Sequence, residues 1–140
     1  MGFAFDETMS GTLELSTEPG VSHPLLFRAH VVAPWVGGKC TMTGHIEAAP
    51  LARDAAFEGR MLLRPFLGRL IRYELDFAGD DGRRYTLAGQ KDIRLLDLRR
   101  SWTTLPAEIK DDQGKVVATC ETRFDVAKET LAFLSSFRPA

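Results

Sequence analysis

The stretch Ile71-Arg72-Tyr73-Glu74-Leu75-Asp76-Phe77 decides the fold, because every odd position is apolar and every even position is charged. This alternation is typical of a β-strand with one buried face and one solvated face. The turn-forming cluster Gly79-Asp80-Asp81-Gly82 follows, and Tyr85 and Leu87 resume the alternation. We therefore predict an antiparallel hairpin built from these two strands.

Glycines inside alternating stretches extend this prediction to the rest of the chain. They are spaced at close to multiples of about fifteen residues, which a strand and its turn occupy in an up-and-down sheet. Glycine inside a strand is costly unless the strand bends, bulges or admits another backbone at close range. The sequence thus predicts a sheet that curls into an antiparallel barrel, with these glycines at its bends: Gly11, Gly44, Gly59 and Gly89.

Two more hairpins and a further strand follow from the same patterns. Asp111-Asp112-Gln113-Gly114 predicts a turn between arms 103–109 and 115–124, and Pro106 predicts an edge, a bulge or a strand end in the first arm. Residues 25–32 and 40–46 flank a turn built on Pro34 and the glycines at 37 and 38. Residues 56–64 are predicted as a strand because they alternate on the strand period, although Ala55 and Ala56 favour a helix.

A helical pattern begins at Asp125, which can cap the free amides of a first turn. Apolar side chains then recur at helical spacing as far as Phe137, so we predict one short C-terminal helix. No stretch is rich enough in Pro, Gly or Ser to separate domains. We expect residues 1–140 to form a single all-β domain, an up-and-down antiparallel barrel closed by this helix.

The composition narrows the classes of partner and location. The chain has 18 basic and 19 acidic residues without blocks of either sign, which disfavours nucleic acid as a partner. No Lys or Arg precedes Arg28, unlike a secretory or organelle-targeting leader, and the apolar runs are too short to span a membrane. Cys40 and Cys120 are expected to be reduced thiols. We expect a cytoplasmic protein.

A family resemblance is visible in several stretches of the sequence: Phe5–Gly11, Arg72–Phe77, Asp81–Lys91, and Asp97-Leu98 with Thr103-Thr104-Leu105. In these stretches the chain resembles the lipocalin-like (calycin-type) domain attached to some cholesterol oxidases of the glucose-methanol-choline oxidoreductase group, and related stand-alone proteins. The resemblance implies an up-and-down barrel and either an apolar ligand or an accessory role beside an enzyme. Oxidase activity does not carry over, because no Gly-x-Gly-x-x-Gly lies at a strand-to-helix junction.

Lys91 is the first candidate for a functional residue. Alternation from Tyr85 through Leu87 and Gly89 places it on the core face. A lysine inside a barrel must be paired or lose its proton, so it could bind an acidic head group or attack a carbonyl as the free amine. Two other interpretations stay open: a bulge at Gly89 that turns Lys91 outward, and a structural ion pair with Asp97 or Glu7.

The remaining candidates are apolar or aromatic. We predict that a cavity for a hydrophobic molecule is lined by Met61, Tyr73, Phe77 and Tyr85, with Lys91 as its polar anchor. An eight-stranded barrel can instead be filled by these same side chains. Trp35 and Trp102 are expected at the barrel ends, as lids over the core or covers of an opening.

These observations lead to three hypotheses of function. The favoured one is a non-enzymatic binding or accessory module for a lipid-like or sterol-like molecule. The alternatives are an enzyme in which Lys91 acts on an apolar carbonyl or epoxide, and a solid-cored domain that dimerises or docks through a strand edge, with Pro106 marking where an edge is blocked. We expect no metal and no cofactor, since the histidines lack ligand spacing, and no serine or cysteine nucleophile is visible. Expected partners are an apolar small molecule, a second copy or an oxidoreductase.

Overall fold

The computed structural model describes residues 2–34, 38–64, 69–92, 103–124 and 138–139, and the elements they form are all strands. In chain order these are β1 (Gly2–Leu15), β2 (Ser22–Pro34), β3 (Lys39–Ala48), β4 (Ala52–Arg64), β5 (Leu70–Ala78), β6 (Arg84–Asp92), β7 (Thr104–Lys110), β8 (Val116–Arg123) and β9 (Arg138–Pro139). The predicted helix that begins at Asp125 lies outside the described residues, as do Trp35, Asp97 and Trp102.

Strands β1 to β8 form a closed antiparallel barrel in which each strand pairs with its neighbours along the chain. The barrel closes between β8 and β1, where Ser10–Leu15 pair with Ala118–Arg123. Strand β9 adds a short pairing to β1 at Phe3 and Ala4. The predicted all-β, up-and-down antiparallel barrel is therefore confirmed for the described residues.

The hairpin of β5 and β6 has the predicted form. Ile71, Tyr73, Leu75 and Phe77 are buried while the charged positions between them are more exposed. The turn closes with a hydrogen bond from the Gly79 amide to the Arg83 carbonyl, and Gly82 has a φ of 80°. The other predicted hairpins, β2 with β3 and β7 with β8, are present as well. Strand β4 begins at Ala52, earlier than the predicted start at residue 56.

Pro106 lies inside β7 rather than at a free edge of the barrel. Strand β7 pairs with β8 along its whole length, and Ala107–Lys110 pair with β6 on the other side. The pairing with β6 ends at Ala107, next to Pro106. Because proline has no N–H to donate, the β6–β7 ladder cannot continue across it.

The four strand glycines lie where a neighbouring backbone comes close, as the sequence predicts. A Cβ atom added to Gly44 would lie 1.9 Å from the carbonyl oxygen of Arg28 and 2.9 Å from Phe57 Cζ. A Cβ on Gly11, Gly59 or Gly89 would meet a carbonyl oxygen of the adjacent strand at 1.9, 2.3 and 2.5 Å, respectively. Tight curvature of the sheet therefore depends on the absence of side chains at these positions.

Antiparallel alternation gives the barrel two ends, which we call upper and lower. Odd-numbered strands from β1 to β7 begin at the upper end, and even-numbered strands from β2 to β8 begin at the lower end. Between them the inward side chains form one hydrophobic core, whose largest fully buried members are Met9, Leu13, Leu25, Phe27, Met42, Ile46, Tyr73, Leu75, Phe77, Leu87, Leu105 and Ile109.

We predict that Gly44→Ala lowers the free energy of unfolding by about 2–3 kcal/mol, because the new methyl group would overlap the Arg28 carbonyl. Gly82→Ala is the control. Its added Cβ would meet no atom within 4 Å, so only the positive φ costs stability, by about 1 kcal/mol. Urea-induced unfolding of both variants measures the difference. Equal losses would show that close backbone approach does not govern position 44.

Candidate functional site

Three polar side chains meet inside the upper half of the barrel and form what we call the polar cluster: Glu7, Tyr73 and Lys91. Their exposed fractions are 8%, 1% and 2%, respectively. Buried charged residues are rare because a charged side chain loses its hydration when it is buried. Those with strongly perturbed pKa values concentrate at functional sites. Among the described residues, Thr122 and Tyr85 are also buried and carry a hydroxyl group.

The register of β5 and β6 turns Lys91 into the barrel. Tyr73 lies opposite Gly89, and Ile71 lies opposite Lys91, so the pairing runs through Gly89 without a shift. A bulge at Gly89 would have turned Lys91 outward. That outward alternative is wrong, and the inward orientation inferred from alternation with Tyr85 is correct.

Tyr73 spans the interior of the barrel. Strands β1 and β5 are separated by three strands in either direction around the barrel, so they face each other across it. The Tyr73 hydroxyl donates a hydrogen bond of 2.6 Å to Oε1 of Glu7 on β1. Small neighbours flank both residues, with Gly89 opposite Tyr73 and Ala29 opposite Glu7 in their strand pairs. This hydrogen bond, which we call the Tyr73–Glu7 bridge, crosses the interior in the upper half of the barrel.

Lys91 lies beside the Tyr73–Glu7 bridge, and no direct hydrogen bond joins it to the described residues. Its Nζ atom is 3.9 Å from Oε2 of Glu7 and 5.1 Å from the centroid of the Tyr73 ring. Both contacts favour a positive charge, the first as an ion pair and the second as a cation–π interaction. The distance to Glu7 exceeds the roughly 2.7–2.9 Å of a charge-assisted hydrogen bond, so the N–H donors of Lys91 are not committed to it.

Burial and charge act in opposite directions on the pKa of Lys91. Desolvation lowers this pKa below its ordinary value, and the Glu7 carboxylate partly offsets that effect. Desolvation also raises the pKa of Tyr73 well above its ordinary value, and the adjacent Glu7 carboxylate raises it further. The phenol therefore stays protonated and serves as a donor, while the lysine is held closer to deprotonation than an exposed one.

Apolar side chains surround the polar cluster. Met61 pairs with Tyr73 across β4 and β5 and is likewise buried. The Phe27 ring packs edge-on against Tyr73 at a centroid distance of 6.2 Å. Cys40 pairs with Met61, and burial raises the pKa of its thiol to about 11. Burial raises the pKa of Cys120 to about 12, so both thiols are protonated near neutral pH and are poor nucleophiles.

The five predicted site residues fall into two groups. Lys91, Tyr73 and Met61 lie together in the upper half of the barrel. Phe77 and Tyr85 instead stack on each other at the β5–β6 turn, with centroids 5.9 Å apart, and the Tyr85 hydroxyl donates a 2.7 Å hydrogen bond to Asp81. These two aromatic side chains belong to the lower end and do not contact Lys91.

Glu7 is the site residue that sequence reasoning named only as one of two conceivable partners of Lys91. The signal for its burial is the alternation Phe5-Asp6-Glu7-Thr8-Met9, in which a carboxylate takes an inward position between two buried apolar residues. The other conceivable partner, Asp97, lies outside the described residues.

The described part of the chain gives no sign of a metal site or of a membrane-spanning helix. None of its His, Cys, Asp and Glu side chains gather in groups of three or more that could hold a metal ion. Likewise, within these residues, no helix has the length and apolar character needed to cross a membrane.

Comparison with known proteins assigns this chain to no family. No protein-family model matches the sequence, and the search of curated proteins found no match either.

We predict that Lys91→Met destabilises the fold by about 3–5 kcal/mol, because it leaves the buried Glu7 carboxylate without its cation. Adding Glu7→Gln to that variant removes the orphaned charge, so the double variant should be more stable than Lys91→Met alone. Urea-induced unfolding of the wild type, both single variants and the double variant measures the coupling.

The exposed ion pair of Arg60 and Glu74 provides the control for this cycle. These side chains are 73% and 39% exposed, so Arg60→Met combined with Glu74→Gln should show a coupling of at most about 1 kcal/mol. Additive effects of Lys91→Met and Glu7→Gln would contradict the pairing of Lys91 with Glu7.

Proposed function

We propose that the barrel binds a small apolar molecule that carries a polar head group, with the head group at Lys91 and the apolar part toward the upper end. One observation carries this proposal: Lys91 Nζ is buried, 3.9 Å from its nearest carboxylate oxygen, and makes no hydrogen bond to the described residues. A ligand atom that accepts from its N–H groups would give this buried ammonium a direct hydrogen bond.

The position of the polar cluster within the barrel supports this orientation of the ligand. Below the Tyr73–Glu7 bridge, the core contains large, fully buried side chains such as Phe77, Leu87 and Ile109. Ile71, the next inward-facing residue above Tyr73 on β5, lies opposite Lys91. Met61 on β4 pairs with Tyr73, and Cys40 on β3 pairs with Met61. Apolar side chains around a few convergent polar groups are the usual composition of a small-molecule site.

The proposal extends to family and location. The resemblance to lipocalin-like domains agrees with a non-enzymatic binding or accessory role, and reduced buried thiols at Cys40 and Cys120 agree with a cytoplasmic setting. An oxidoreductase partner follows from the same resemblance as a proposal about assembly.

We predict that solvent extracts of the purified wild-type protein contain a defined apolar compound with an oxygen-bearing head group. Lys91→Met should retain about tenfold less of it, the effect of losing one hydrogen bond of about 1.4 kcal/mol to a charged donor. Mass spectrometry of extracts from equal amounts of folded protein measures the retention. Lys110→Met is the control, because Lys110 is exposed on the outer face of β7 and should retain as much as the wild type.

Titration with N-phenyl-1-naphthylamine, a neutral apolar fluorophore, provides a second measurement on extracted protein. Enhanced fluorescence upon binding agrees with an apolar site. The proposal is overturned if the protein carries no compound and leaves the fluorophore unchanged, or if Lys91→Met retains as much compound as Lys110→Met.

A second candidate function is reversible covalent chemistry at Lys91, which the lowered pKa of its buried amine favours. In this case the neutral amine attacks the carbonyl carbon of an apolar aldehyde or ketone, and the carbonyl oxygen leaves as water to give an imine. We predict that borohydride in the presence of decanal then adds one decyl group to the wild-type protein at Lys91.

Peptide mass spectrometry locates the adduct, and Lys91→Met measures the background from exposed lysines. Labelling that is spread over exposed lysines and absent from Lys91 would exclude this second function and leave non-covalent binding intact.

A further inference from the structure

The charges of the polar cluster define the ligand class more narrowly. We infer that the head group is an uncharged hydrogen-bond acceptor, the carbonyl of a ketone, ester or amide, and that a carboxylate is disfavoured. This inference rests on the proposed function and specifies the ligand of that same site.

Charge balance is the first argument. The polar cluster holds one cationic group, Lys91, and one anionic group, Glu7, and Tyr73 is protonated, so the cluster is already neutral overall. The described residues bury no other charged side chain beside it. A neutral ligand preserves this balance, whereas a carboxylate adds an uncompensated negative charge to a site from which water is largely excluded.

Geometry is the second argument. Glu7 Oε1 already accepts from the Tyr73 hydroxyl, and Oε2 is the oxygen 3.9 Å from Lys91 Nζ. An acceptor that binds Nζ at about 2.9 Å therefore lies at most about 7 Å from Oε2. A carbonyl oxygen tolerates this neighbour because it carries only a partial charge, but a second carboxylate would repel Glu7 unless one of the two took up a proton.

The hydrogen-bonding groups of the polar cluster also favour an uncharged acceptor. Lys91 has up to three N–H donors and no acceptor capacity when protonated, and the Tyr73 hydroxyl is committed to Glu7. Oε2 of Glu7 still has lone pairs that could accept, but a protonated amine that donated to it would place a second cation beside Lys91. An acceptor without a charge is the head group that these atoms satisfy best.

Isothermal titration calorimetry with two ligands of similar chain length, 2-undecanone and decanoate, tests the inference. At pH 8 the wild type should bind the ketone at least about tenfold more tightly than the carboxylate. Glu7→Gln removes the resident negative charge, so this preference should reverse in favour of decanoate. Glu74→Gln, on the outer face of β5, is the matched control and should keep the wild-type preference.

The pH dependence of ligand binding to the wild type tests the same inference even if Glu7→Gln does not fold. Between pH 8 and pH 6 decanoate should gain affinity, by up to about tenfold per pH unit, because it must bring a proton with it. Binding of 2-undecanone should change less over this range.

The outcomes separate the two claims. If neither ligand binds, the proposed function fails and this inference fails with it. If decanoate binds as tightly as the ketone or more tightly at pH 8, without proton uptake, the proposed function stands and the inference about head-group charge is overturned.

Discussion

The pairing of β1 with β8 is the constraint on which the rest of the structure depends. Every other contact between neighbouring barrel strands joins elements that are consecutive in the chain, and a series of hairpins alone would leave an open sheet. Joining Ser10–Leu15 to Ala118–Arg123 closes that sheet and turns one face of every strand inward. Closure also removes the free edges that an open sheet would expose to other chains. The absence of a side chain at Gly11, whose added Cβ would lie 1.9 Å from the Glu121 carbonyl oxygen, permits this junction.

Closure also creates the polar cluster. In an open sheet β1 and β5 would lie far apart, but in a closed barrel they face each other, and Tyr73 is long enough to reach Glu7. Burying Glu7 and Lys91 works against stability, since an apolar pair of similar volume would avoid their desolvation. The ligand proposed above would account for these charges in an otherwise apolar interior, because its head group would accept hydrogen bonds from Lys91.

Much of this structure could be predicted from local patterns, because alternation and turn residues act over a few positions. Alternation within residues 71–77 predicted which side chains face the core. Alternation along β6 likewise predicted that Lys91 faces inward. Alternation shows which face a residue occupies but not its height in the barrel, so Phe77 and Tyr85 were grouped with Lys91 although they lie at the lower end. The choice of Glu7 as partner depends on barrel closure, a long-range pairing that no local pattern records. Strand β9 was missed because two residues carry no periodicity.

The polar cluster exists only if Lys91 is enclosed in the barrel next to Glu7. The most direct measurement is a nuclear magnetic resonance titration of the Lys91 side chain, with isotope-labelled lysine and Lys91→Met for assignment. We predict a pKa below the ordinary value of 10.5, and a further decrease in Glu7→Gln because the carboxylate that supports the charge is gone. A pKa at the value of exposed lysines, unchanged by Glu7→Gln, would contradict the account.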